Sequence, residues 1–259
     1  MQKAALAAIV IILGGGLAAY YFMQKEAPPP APPPQQTIPR SPVPAAPAVV
    51  APVIRHPLAG VAAAALPELE QSDAPVLQAL GELLGRKWLA FILTDGVIQR
   101  IVATVDNLPR ERLPVGVMPL KPVPKAFITT GEGATLAIGP RNSARYAPYV
   151  RVVGAVDAAK LVALYVRFYP LFQRAYEELG YPKAYFNDRL VEAIDNLVAA
   201  PELSAPIKLV RPMVLYEFAD PKLEARSAGQ KIMIRMGRDN AAAVKAKLHE
   251  IRRLVATGA

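Results

Sequence analysis

Apolar residues fall along this chain in three regimes. Ala4 to Met23 is a run of twenty residues without a charge. Between Ala27 and Ala59 twelve of thirty-three positions are proline, which removes backbone donors and fixes φ, so neither helix nor sheet propagates there. From residue 67 onward apolar residues recur at spacings of three and four among polar ones, the period of a helix with one buried face. This organisation predicts an anchor over 4–23, a spacer over 27–59 and one folded domain over 67–259.

Within the domain the pattern predicts a mainly α fold, α+β in that it carries a minor β-hairpin and short strands. Asp73 is placed to N-cap a helix bearing Val76, Leu77, Leu80, Leu83 and Leu84. A second helix begins near Asp95, carries Val97, Ile98, Ile101, Val102, Val105 and Leu108, and ends before Pro109. Recurring prolines and glycines from Pro109 to Pro124 read as a long ordered loop. Phe127–Thr130 and Thr135–Ile138 flank Gly131-Glu132-Gly133, the signature of a hairpin. The clearest stripe follows Asp157: Leu161, Leu164, Tyr165, Phe168, Phe172, Tyr176 and Leu179, with Gly180 as the stop. Pro170 inside it is expected to kink or divide that helix. Phe186, Leu190, Ile194 and Leu197 mark another. Further on come a short strand near Met213–Phe218, a helix opened by Asp220-Pro221, and a final helix capped by Asp239 that buries Val244, Leu248, Ile251 and Leu254.

The twenty-residue apolar run makes a helix of about 30 Å, the thickness of a bilayer's hydrocarbon core. Gly16-Leu17-Ala18 would suit a signal peptidase, yet Tyr20, Tyr21 and Phe22 follow at once where a cleaved signal has a polar region; this favours a retained, single-pass anchor. Lys3 and the amino terminus outweigh the cancelling Lys25 and Glu26, which places the domain outside the cytoplasm. A spacer of this composition reaches about 100 Å when fully extended. A short tail, an anchor, a proline spacer and a terminal domain together resemble the envelope-spanning proteins of Gram-negative bacteria. The expected location is therefore the bacterial inner membrane, with the domain in the periplasm.

Charge and composition narrow the chemistry. Formal net charge is +9; Lys3, Lys25, Arg40 and Arg55 against Glu26 account for +3 before residue 67, leaving +6 on the domain. That excess suits anionic partners, although a solvated basic face has the same composition. The chain holds no cysteine, which excludes disulfides, thiol nucleophiles and thiolate metal sites. Only His56 and His249 exist, so a histidine-based triad and a histidine-rich metal site have no basis. No phosphate-binding glycine loop occurs. No cofactor is expected.

Several stretches carry a family resemblance: VDNLPRERL from Val105, GEG at Gly131, RYAPYV from Arg145, FYPLFQRAYEELGYP from Phe168, YFNDRLVEAIDNL from Tyr185, VLYEFADPKLEARSAGQK from Val214 and IRMGRDNAAAVKAKL from Ile234. They resemble an uncharacterised bacterial family, domain of unknown function 3014, over nearly all of residues 67–256. The resemblance implies an anchored protein with a variable proline-rich linker and supplies no activity.

Carboxylates are the remaining candidates. Glycoside cleavage needs two close together, one protonated and one ionised. Asp188, Glu192 and Asp195 share a helix at spacings of four and three. Glu132 lies in a glycine turn and Glu217 among aromatic residues. Tyr181, Tyr185 and Arg189 are near Asp188 in sequence and suit a polar groove. Helix capping and ion pairing explain these acids as well, with Asp188 as an N-cap. The Glu-Ser pair typical of many lytic transglycosylases is absent. Tyrosines between Tyr146 and Tyr216, interleaved with arginine, suit sugar stacking but equally suit a half-buried position. The expected function is a non-catalytic binding or scaffold domain with Tyr185, Asp188, Arg189, Glu132 and Glu217 as candidate binding residues. Its expected partners are the membrane and either peptidoglycan or an envelope protein, with nucleic acid not expected; a carboxylate enzyme acting on a glycan is the alternative.

Overall fold

The helical stripes converge on one C-terminal helix. The computed structural model describes residues 53–61, 66–204 and 206–256. The expected anchor over 4–23, and the expected spacer as far as residue 52, lie outside the described residues. Among the described residues no helix is long and apolar enough to cross a membrane.

The helices are α1 (Asp73–Leu84), α2 (Val97–Asn107), α3 (Ala147–Ala155), α4 (Ala158–Glu178), α5 (Phe186–Val198), α6 (Pro221–Glu224), α7 (Ala228–Arg235) and α8 (Arg238–Val255). Helix α8 packs against α3, α4, α5 and α7, and α2 against α4 and α5. Its contribution to the core is Ala241, Val244, Leu248, Ile251 and Val255, at spacings of three and four. From α4 come Leu161, Tyr165, Phe168, Phe172 and Tyr176, all buried. Gly229 at the start of α7 touches both α2 and α5: its N–H donates to the Leu108 carbonyl at 2.9 Å, and a Cβ there would stand 2.7 Å from Leu197 Cδ2.

Four short strands form two small antiparallel pairs. Strand β1 (Thr129–Thr130) pairs antiparallel with β2 (Ala137–Ile138), and β3 (Leu209–Val210) with β4 (Glu217–Phe218). An antiparallel bridge between Ala137 and Lys208 joins the two pairs, supported by Ile138 N–H to the Ile207 carbonyl at 3.0 Å. Leu209, Phe218 and Ile234 make a separate small core beneath them, with Phe127, Ile138 and Tyr216 packed around it. The fold is mainly helical with two small antiparallel strand pairs.

Local departures from the sequence reading have identifiable causes. Asp73 is the first residue of α1 and does not cap it; its carboxylate accepts Gly96 N–H and Val97 N–H, both at 2.8 Å, and so caps α2 from a neighbouring element. Pro170 does not divide α4, which runs unbroken through it, because Phe168, Leu171 and Phe172 on either side are all held in the core. The last helix starts at Arg238 on Gly237, with Asp239 in its first turn and no side-chain cap. At its other end Val255 is buried and Leu254 exposed, the stripe having rotated by one position. Of the strand expected near Met213–Phe218 only Glu217–Phe218 pairs; Met213 is 85% exposed in the connecting loop.

Candidate functional site

The N-terminal turn of α5 is fixed by one ring. Phe186 is 1% exposed and stacks on Phe172 at 5.8 Å, with Tyr176 at 5.4 Å. Tyr185 meets Tyr169 at 5.2 Å, and Tyr181 stacks on Tyr176 at 4.6 Å. Most of the tyrosine signal in this region is therefore a buried aromatic seam between α4 and α5. With that seam filled, Asp188, Arg189 and Glu192 are left on the outer side of α5, facing the end of α2.

The acid at the end of α2, Asp106, is nearly buried, with a side chain 5% exposed. Oδ1 accepts Arg189 Nε at 3.1 Å; Oδ2 accepts Arg110 Nη2 at 2.8 Å and the Tyr181 hydroxyl at 3.3 Å. Arg189 also donates to the Asp106 carbonyl and pairs with Glu192 at 2.7 Å. Arg110 donates to the Tyr181 oxygen at 2.6 Å. Burial works against the charged Arg110, but Asp106 and Tyr181 outweigh it and raise its pKa. Burial, with the negative field of Asp106 added, pushes the Tyr176 hydroxyl up to about 12.

Against this cluster lies a strap from the end of the expected spacer. Arg55 N–H donates to Asp188 Oδ2 at 3.0 Å and His56 N–H to Oδ1 at 2.7 Å. Leu58 N–H donates to the Tyr185 oxygen at 3.2 Å. Asn187, fully buried, donates through Nδ2 to the His56 carbonyl and to the Val255 carbonyl, each at 2.8 Å. Asp188 thus binds a distant backbone; the N-cap position of α5 is Tyr185. Strap and helices enclose a cleft of about 320 Å³ lined by Val53, Ile54, Arg55, Asp106, Arg110, Tyr176, Tyr181, Lys183, Tyr185, Asp188, Arg189 and Glu192.

Tyr185, Asp188 and Arg189 therefore line one cleft, and Glu132 and Glu217 do not. Glu132 is exposed in the β1–β2 loop, where its own backbone bonds Thr135. Glu217 lines a second cleft of about 270 Å³ with Arg112, Tyr216, Glu224, Lys231 and Arg235. Asp195 pairs with Arg252 at 2.9 Å, and His249 is exposed. Among the described residues no group of three or more His, Asp or Glu side chains is placed to hold a metal ion. Sequence reasoning passed over Asp106, Arg110, Lys183 and the strap. Asp106 did carry a signal: it stands four residues after Val102 on the apolar stripe of α2, where an acid needs a buried partner.

Chemically the cleft has its acids already committed. Both oxygens of Asp106 and both of Asp188 accept hydrogen bonds from within the chain, and Glu192 is paired with Arg189. A proton donor and a free base, the pair that glycoside cleavage needs, are not what this arrangement offers. A family model described as "Protein of unknown function (DUF3014)" matches residues 97–252, from the start of α2 to the last turn of α8. No curated protein and no solved structure matches the chain.

Proposed function

The chain belongs to the DUF3014 family, whose description assigns no activity, and from that premise we propose that it is a non-catalytic binding or scaffold protein of the bacterial envelope. Residues 4–23 anchor it in the inner membrane, the proline-rich spacer carries the domain into the periplasm, and the domain engages peptidoglycan or an envelope protein. One observation carries the non-catalytic part of this reading: the cleft's carboxylates hold arginines and a strap of backbone in place. The uncharged run, the proline content and the basic excess support the rest.

The test is sedimentation with purified peptidoglycan sacculi, followed by analysis of the supernatant for soluble fragments. The expected result is co-sedimentation without release, weakened by salt because the surface is basic. Released glycan fragments would overturn the reading in favour of a carboxylate enzyme. Protein left wholly in the supernatant would remove the wall as partner and leave an envelope protein.

A further inference from the structure

Positive and negative charge are not equally available in the first cleft. Its acids are satisfied by arginines and by strap amides. Arg55 and Lys183, both exposed, line the same cleft, and neither side chain has a hydrogen bond or ion pair among the described residues. The charge left for a ligand is therefore positive. Tyr181 adds a half-buried flat ring held by its stack on Tyr176 and its bond to Arg110. Arg55 is delivered by the strap, whose seat is Asp188, so the site is incomplete when the strap is off.

We propose that this cleft binds a carboxylate or phosphate group through Arg55 and Lys183, and that the strap, clasped by Asp188, completes the site. The inference rests on the binding-domain reading above and gives it a ligand chemistry. Two cations and an aromatic ring lining one cleft suit an anionic group attached to a sugar or other flat body, through charge-assisted hydrogen bonds and ring contact. Because the strap is the root of the spacer, ligand and strap stabilise each other's seat, a coupling that is reciprocal.

Calorimetry on the full chain in detergent tests this with three probes: N-acetylmuramyl-L-alanyl-D-isoglutamine, the same molecule with its carboxylate amidated, and inorganic phosphate. The acid is expected to bind saturably and the amide at least about tenfold more weakly, the loss of one charge-assisted contact. Tighter binding of the acid than of phosphate identifies a carboxylate ligand, and the reverse order a phosphate one. Arg55→Gln and Lys183→Gln each weaken binding about tenfold with unchanged thermal unfolding, as both side chains are exposed. Asp188→Ala weakens it as well by releasing the strap, and Lys208→Gln, in the bridge between the strand pairs, leaves it unchanged. Equal binding of acid and amide, no saturable binding of acid or phosphate, or indifference to Arg55→Gln and Lys183→Gln would overturn the proposal. Sacculus binding that survives both substitutions would overturn it while leaving the broader reading standing.

Discussion

In the first cleft an acid, Asp106, is buried behind two arginines; in the second, Glu224 is 29% exposed and holds Lys231 at 2.9 Å and the Phe218 N–H at 2.8 Å. Both clefts contain tyrosine, arginine and carboxylate, but they stand on different foundations. The first rests on α2, α4 and α5, whose aromatic seam is part of the main core. The second is lined by the 111–113 and 215–217 segments and by Ala228, Lys231 and Arg235 of α7, with Arg235 lying over Phe218 of the smaller core. Depth of footing sets what a charge does. A buried charge must be matched by its neighbours, and Asp106 is matched by Arg110 and Arg189.

The largest effect expected from that contrast comes from Asp106→Ala. It removes the more buried of the two carboxylates that hold Arg189, whose side chain is 15% exposed, leaving it only the half-exposed Glu192, and takes the carboxylate from Arg110 as well. The expected loss is about 2–3 kcal/mol in chemical denaturation, the scale of losing charge-assisted hydrogen bonds at a buried acid. A loss below ~1 kcal/mol would mean the cluster is hydrated like a surface pair.

A smaller effect appears in alkali. Tyr176, at the first cleft, has a folded pKa of about 12 against an ordinary 10.0, and burial raises Tyr165 and Tyr169 as well. A raised folded pKa means the native state holds its proton where the unfolded state has lost it. The stabilisation is thus complete below pH 10.0 and is lost as pH rises towards about 12. Denaturation midpoints falling over that window, with the buried tyrosines' share of the tyrosinate absorbance appearing only on unfolding, are the expected readout. Smallest of all is Glu217→Gln in the second cleft, where the exposed carboxylate has no partner among the described residues; stability is expected to stay within about 0.5 kcal/mol of the parent.

Much of the helical framework was legible because it is local. Val244, Leu248 and Ile251 announce α8 by spacing alone, and the Tyr165-to-Tyr176 stripe announces α4. What escaped depends on contacts the local pattern does not encode. Nothing beside Asp73 says that its carboxylate caps α2 twenty-three residues later. Pro170 obeyed the core on both sides of it and overrode its own propensity. The site divides the same way. Tyr185, Asp188 and Arg189 share one turn of chain and were visible together, whereas Asp106 reaches Arg189 across 83 positions and His56 reaches Asp188 across 132. Asp188 looked like a helix cap or an acid catalyst, since either role needs only a carboxylate at a helix start; its real partner came from the spacer.

The most direct measurement is the rate of trypsin cleavage after Arg55 in the full chain and in its Asp188→Ala variant. Two backbone N–H groups donating to the Asp188 carboxylate hold that peptide in the strap, and losing these hydrogen bonds raises the open population by about tenfold or more. Cleavage at least about tenfold faster in the variant, with unfolding of the helical core unchanged, is the predicted result. Equal rates in the two proteins would contradict the account: Asp188 would not be fastening the strap, and its carboxylate would be free for other chemistry.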